Sequence, residues 1–181
     1  MEIYLIRHTK PLIDKDICYG QVDVPVEIYN FELAIMNIVS QLPKRIDAIY
    51  SSPLFRCSHL AKYLQQKKYR SLDIRYSNLL KEIDFGEWEN KRWNDINQTH
   101  LNKWMTDFVN EPVRGGESFL QLHLRTREFI ERIIDLSHSS VIIVTHAGVI
   151  RSVTSHIQQT ELKDAFGINC EYGSVTKLEI I

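Results

Sequence analysis

Two textures of apolar residues alternate along the chain. Short apolar runs at "EIYLI" (2–6), "DAIY" (47–50), "LDIRY" (72–76) and "SVIIVT" (140–145) read as strands. A last one, "SVTKLEII" (174–181), sets Val175, Lys177 and Glu179 against Thr176, Leu178 and Ile180. The first and fourth runs are apolar nearly throughout, as central strands covered on both faces are, whereas the alternation of the last suits a more peripheral strand. Between them the apolar spacing turns helical, at about 28–42, 54–68, 90–108, 117–137 and 147–158. In 117–137, Phe119, Leu122, Phe129, Ile130 and Ile133 share one side, with Arg125, Glu128, Arg132 and Asp135 mostly on the other.

Strands separated by helices need crossover connections. The pattern therefore predicts an α/β fold, a three-layer α/β/α sandwich with a mostly parallel central sheet. Residues 77–139, the longest stretch without a strand, are expected to form a helical excursion over one end of the sheet. No repeat, low-complexity tract or Pro/Gly/Ser-rich linker interrupts the chain, so one domain over 1–181 is expected.

Charge narrows the partners. Lys and Arg number 22 against 23 Asp and Glu, a formal charge of -1, which leaves no electrostatic footprint for nucleic acid or an anionic membrane. Anion binding must then come from a few converging arginines. No apolar run approaches the length of a membrane span, and Met1 leads straight into a strand pattern, so no signal peptide is expected. Cys18, Cys57 and Cys170 are odd in number and far apart, which fits free thiols in a reducing cytoplasm.

Parallel sheets bind ligands beyond the carboxyl ends of their strands. Arg7 and His8 follow the first strand directly, and His146 in "THAGVIR" (145–151) follows the fourth in the same way. In "YSSPLFRCSHLAKYL" (50–64), Ser51 and Ser52 end a strand, Pro53 suits a helix start, and Arg56 comes one turn in. An arginine beside a helix N-terminus can grip phosphate oxygens in two-pronged geometry. "LLKEIDFGEWEN" (79–90) adds Glu82, Asp84, Glu87 and Glu89. A carboxylate beside a phosphate holds its proton more tightly and can serve as general acid; Glu82 is the choice for that role, with Asp84 and Glu87 as alternatives.

"LIRHT", "SSPLFRC", "LLKEIDFGEWE", "GGES" and "VTHAGVIR" stand in the order found in the histidine phosphatase superfamily, the phosphoglycerate mutase-like proteins. The chain resembles that family over nearly its whole length. With "CYGQVDVPV" (18–26) and "EIDFGEWE" it is most similar to the alpha-ribazole phosphatase branch, which removes the 5′-phosphate of alpha-ribazole 5′-phosphate late in cobalamin assembly. The resemblance implies a phosphoglycerate mutase-like fold and a cytoplasmic phosphomonoesterase. It implies His8 as nucleophile, Arg7, Arg56 and His146 as holders of the phosphoryl oxygens, and Glu82 as proton donor. A backbone amide near Ala147–Gly148 would add a donor at a helix start, and Tyr19 and Gln21 would touch the substrate or the phosphate rim. No metal or other cofactor is implied. The partner would be a small phosphate ester, and the oligomeric state, a homodimer included, stays open.

The chain departs from the family pattern in three places. Thr9 and Ala147 stand where glycines are usual, and "EIYNFEL" (27–33) lacks the usual glycine. The first two bear on backbone detail, and the third on the substrate-side wall. Two rival functions stay open: phosphoglycerate mutase-type transfer and a phosphate-binding module without turnover. His59, His100, His123, His138 and His156 read as surface or packing residues. Trp88, Trp93 and Trp104 read as packing residues, any of which could instead line the pocket, and "GGES" reads as a helix lead-in near the pocket mouth.

Overall fold

The computed structural model describes residues 1–180, along which strands and helices alternate. They are β1 (Glu2–Arg7), α1 (Phe31–Gln41), β2 (Ala48–Ser51), α2 (Phe55–Lys68), β3 (Ile74–Tyr76), α3 (Gln98–Thr106), α4 (Phe119–Ile134), β4 (Ser140–Thr145), α5 (Ala147–Gln158) and β5 (Val175–Glu179). The sheet order is β3-β2-β4-β1-β5. All pairings are parallel except β5, which runs antiparallel along the β1 edge. Ile181, at the end of the expected last strand, lies outside the described residues.

The apolar runs are explained by what covers them. In β4, Val141 and Ile143 pack with Leu122, Phe129, Ile130, Val149 and Val153 of α4 and α5. Ile142 and Val144 face the other way, toward Ile35, Ile38, Leu60 and Leu64 of α1 and α2. All four β4 residues are fully buried, each contributing about 1.5–3 kcal/mol relative to exposure. Helices on both faces of a mostly parallel sheet make the expected three-layer sandwich. Among the described residues no helix is long and apolar enough to cross a membrane.

The excursion at 77–139 is less helical than its spacing suggests. The expected helix at 90–108 is α3 alone, starting at Gln98, where the Asn97 side chain caps the amides of Thr99 and His100. Before it the chain makes short 3₁₀ turns at Gly86–Trp88 and Trp93–Asp95. Trp88, Ile96, Val113 and Cys18 form a small separate core there, with Phe85, Trp93 and Trp104 against it. Tertiary packing of the indoles, not helix periodicity, spaces those apolar residues. The expected strand at 72–76 pairs only over Ile74–Tyr76.

Sheet register aligns the strand ends. Arg7 is paired with Thr145, and Ser51 with Val144. The amides just beyond continue the ladder: His8 N donates to Thr145 O and Ser52 N to Val144 O, each at 3.0 Å. His8, Ser52 and His146 therefore leave the sheet side by side.

Candidate active site

His8 is held on both sides of its backbone. Its amide is bound to Thr145, and its carbonyl accepts from Gly173 N at 3.2 Å. The ring Nδ1 lies 2.7 Å from Thr9 O. A carbonyl can only accept, so Nδ1 carries the proton and Nε2 of the neutral ring keeps its lone pair. Burial first, and then the Arg56 guanidinium, keep the imidazole well below its ordinary pKa and therefore neutral. Thr9 serves through its carbonyl, which any residue there would supply.

Arg56, the second residue of α2, is fully buried. Nη1 donates to Val22 O at 2.8 Å and Nη2 to Gly20 O at 2.5 Å. Its Nε donates to His146 Nδ1 at 3.3 Å, which makes that nitrogen an acceptor and puts the imidazole proton on Nε2, 2.8 Å from Ser52 Oγ. Both nitrogens of His146 are thus engaged within the protein. Taking up a phosphoryl oxygen, as the sequence leads one to expect of His146, requires Ser52 or Arg56 to release one of them. The two histidine rings meet edge to face, centroids 5.2 Å apart.

Arg7 is less committed. Nη1 donates to Cys170 O, while Nε is buried without a hydrogen-bond partner among the described residues. An unpaired buried guanidinium nitrogen suits an anionic acceptor. The face of Arg7 rests on the Tyr172 ring, 3.8 Å from Cζ to centroid, and Tyr172 also leans on His8 at 5.5 Å. Tyr19 lies over Arg56 at 5.1 Å, and its hydroxyl meets that of Tyr172 at 3.0 Å. Tyr172 had no signal in the sequence; Gly173, with φ +72, turns the chain so that the tyrosine comes back over Arg7.

Of the four acids in 79–90, Glu82 alone lines the pocket. Its Oε1 accepts from Ile83 N at 2.9 Å and its Oε2 from Gly148 N at 3.4 Å. The helix-start amide expected to face phosphate is therefore turned toward Glu82. A Cβ on Gly148 would overlap Glu82 Oε1, so an exchange here would push the Glu82 carboxyl aside. Asp84 instead closes a turn with Gly86 N at 2.8 Å, and Glu87 pairs with Arg114 at 3.2 Å.

Behind Glu82 sits Arg125 of α4. It donates to the carbonyls of Leu79, Lys81 and Glu82 at 2.7, 2.8 and 3.0 Å, and pairs with Glu117 at 2.5 Å. The "GGES" segment thus braces the acid-bearing loop and does not line the pocket. Gln21 is not in the lining either; its Nε2 donates to Glu82 O at 3.1 Å.

Arg7 and Glu82 line a cavity of about 260 Å³, while the buried His8, Arg56 and His146 are not part of its lining. Ile17, Phe85, Trp93, Phe119 and Phe166 make its apolar wall, with Tyr19, Ala147 and Gly148 nearer the histidines and Lys15 and Arg151 as further cations. Trp93 is thus a lining residue of this cavity, while Trp88 and Trp104 are not. A larger hollow of about 740 Å³ at Lys10–Asp14 and Val26–Tyr29 contains none of these groups, and convergent chemistry favours the smaller one. Among the described residues no group of three or more His, Cys, Asp or Glu is arranged to hold a metal ion.

Residues 3–181 match the sequence pattern of the histidine phosphatase superfamily (branch 1). The chain belongs to that superfamily. A curated Hydrogenobacter thermophilus protein named "Putative phosphoserine phosphatase 2" is 25% identical over 98% of this chain and 89% of its own. The adenosylcobalamin/alpha-ribazole phosphatase of Escherichia coli is 28% identical over 83% of this histidine phosphatase and 75% of its own length. The crystal structure of the alpha-ribazole phosphatase from Shigella flexneri superposes with a TM-score of 0.90, covering 100% of this chain and 91% of that one at 24% identity.

Proposed function

We propose that this histidine phosphatase hydrolyses small phosphomonoesters through a phosphohistidine on His8, without a metal. The observation that carries the reading is the tautomer of His8: a buried neutral ring, its proton tied to Thr9 O, so that Nε2 keeps its lone pair within the field of the Arg56 and Arg7 charges.

Nε2 attacks phosphorus with its lone pair while the bond from phosphorus to the ester oxygen breaks. Glu82 gives its proton to the departing alkoxide. A water then attacks the phosphohistidine, Glu82 takes one of its protons, and inorganic phosphate leaves with His8 restored. Arg7 and Arg56 neutralise the non-bridging oxygens, so positioning and fixed charge do most of the work. His146 orients the Arg56 guanidinium and reaches a phosphoryl oxygen when Ser52 gives up its contact.

For the leaving alcohol we propose alpha-ribazole, which would place the enzyme in cobalamin assembly in the cytoplasm. The names of the Escherichia coli and Shigella flexneri relatives support this, as does an aromatic cavity far roomier than a serine side chain needs. Phosphoserine is the second reading. The name of the Hydrogenobacter relative favours it, as do Lys15 and Arg151, which suit a carboxylate. The test is kcat/KM for alpha-ribazole 5′-phosphate against O-phosphoserine, with 3-phosphoglycerate as acceptor to detect mutase transfer. A clear preference for alpha-ribazole 5′-phosphate is expected; preference for O-phosphoserine overturns the substrate, and net transfer overturns hydrolysis.

A further inference from the structure

Glu89 closes the "EIDFGEWE" motif and is not itself a lining residue of the pocket. Its Oε1 accepts from Gln21 N at 2.7 Å and from Phe85 N at 3.1 Å. The first contact fixes the stretch Gly20–Val22, whose carbonyls grip both ends of the Arg56 guanidinium. The second fixes the loop that begins at Glu82. Gly20, with φ +32, lies so close that a Cβ there would overlap the same Glu89 oxygen. A single carboxylate oxygen thus joins the loop under the clamp to the loop bearing the acid.

Nothing else in the surroundings accounts for a charge in this place. Glu89 takes part in no ion pair among the described residues. Burial, with the Asp84 charge adding to it, raises its carboxyl above the ordinary value, and the amides of Gln21, Phe85 and Val22 oppose that shift. A half-buried carboxylate without a cation costs stability unless amide donors satisfy it. Here those donors belong to the two loops that Arg56 and Glu82 need held.

We propose that Glu89 is a positioning residue that sets the distance between the Arg56 clamp and the acid Glu82. The inference rests on the phosphohistidine reading for Glu82's role, while the clamp half is measurable without turnover. Glutamine keeps an oxygen able to accept from both amides; alanine removes it.

The test compares Glu89→Ala with Glu89→Gln on an alkyl phosphate and on p-nitrophenyl phosphate, with inorganic phosphate affinity measured by calorimetry. Glu89→Ala should lower kcat/KM for the alkyl ester about 100-fold, the scale of a small displacement of a reacting group. The loss should be smaller for p-nitrophenyl phosphate, whose leaving group needs no proton, and phosphate should bind more weakly. Glu89→Gln should restore all three. Should the alanine variant not fold, Glu89→Asp, one methylene too short to reach both amides, takes its place. Equal losses on both esters, unchanged phosphate affinity, or a glutamine variant as impaired as alanine would overturn the proposal. Wild type without turnover, or His8→Ala retaining it, would instead sink the phosphohistidine reading and leave the clamp to be judged by phosphate binding.

Discussion

Arg56 donates Nε–H to His146 Nδ1 across 3.3 Å, and that contact sets the tautomer of one residue and the orientation of the other. With Gly20 O and Val22 O on its two terminal nitrogens, the guanidinium is fixed at three points before any phosphate arrives. Such preorganisation costs no rearrangement at the moment of reaction.

Arg56→Lys keeps the charge but cannot satisfy two carbonyls and an imidazole from one planar fork. It should lower kcat/KM about 100-fold and weaken inhibition by phosphate. Steady-state kinetics with phosphate as competitor measure both; wild-type values would show that charge alone suffices.

Burial, and next the Arg56 guanidinium, hold His8 and His146 well below the ordinary histidine pKa of 6.5. Below that pH the unfolded chain binds protons that the folded chain refuses. Stability from these groups is therefore complete above it and lost as the pH falls, at about 1.4 kcal/mol per pH unit for each histidine. Thermal unfolding followed from about pH 7.5 to about pH 5.5 should show Tm dropping, and less steeply in His146→Gln. Equal slopes would contradict the assignment.

Glu82→Gln removes the proton donor and should slow alkyl phosphates by about 100-fold or more, with a smaller effect on p-nitrophenyl phosphate. Gly148→Ala should act in the same direction, because its Cβ would displace the Glu82 carboxyl. Leaving-group dependence of kcat/KM reads both variants.

Arg125 and Glu117 are each about 15% exposed, and three carbonyls accept from the arginine. Arg125→Met leaves Glu117 without its cation and the Leu79 and Lys81 carbonyls without that donor, while Glu82 O keeps Gln21. A loss of about 3 kcal/mol is expected in urea unfolding, with activity reduced through Glu82. A change confined to the surface scale, about 0.5 kcal/mol, would mean that the brace is solvent-screened.

The strands, and the placing of His8 and His146 at their ends, were legible because register and burial leave local traces. β1 and β4 are apolar over their middle residues since α1, α2, α4 and α5 cover both faces, and His8 and His146 stand one residue beyond paired positions. α5 runs over Ala147–Gln158, matching its spacing. The 90–108 region misled because Trp88, Trp93 and Ile96 take their spacing from a separate core. Tyr172, Arg125 and the lining by Arg151 and Phe166 depend on contacts between distant segments, and nothing near them in the chain announces those contacts.

The central claim is that His8 carries the phosphoryl group in transit. Rapid acid-free quenching during turnover of a phosphomonoester, followed by peptide mass spectrometry, tests it directly. The account predicts a base-stable, acid-labile phosphoryl adduct on His8, absent in His8→Ala together with turnover. Turnover that persists in His8→Ala, or an adduct on another residue, would contradict it.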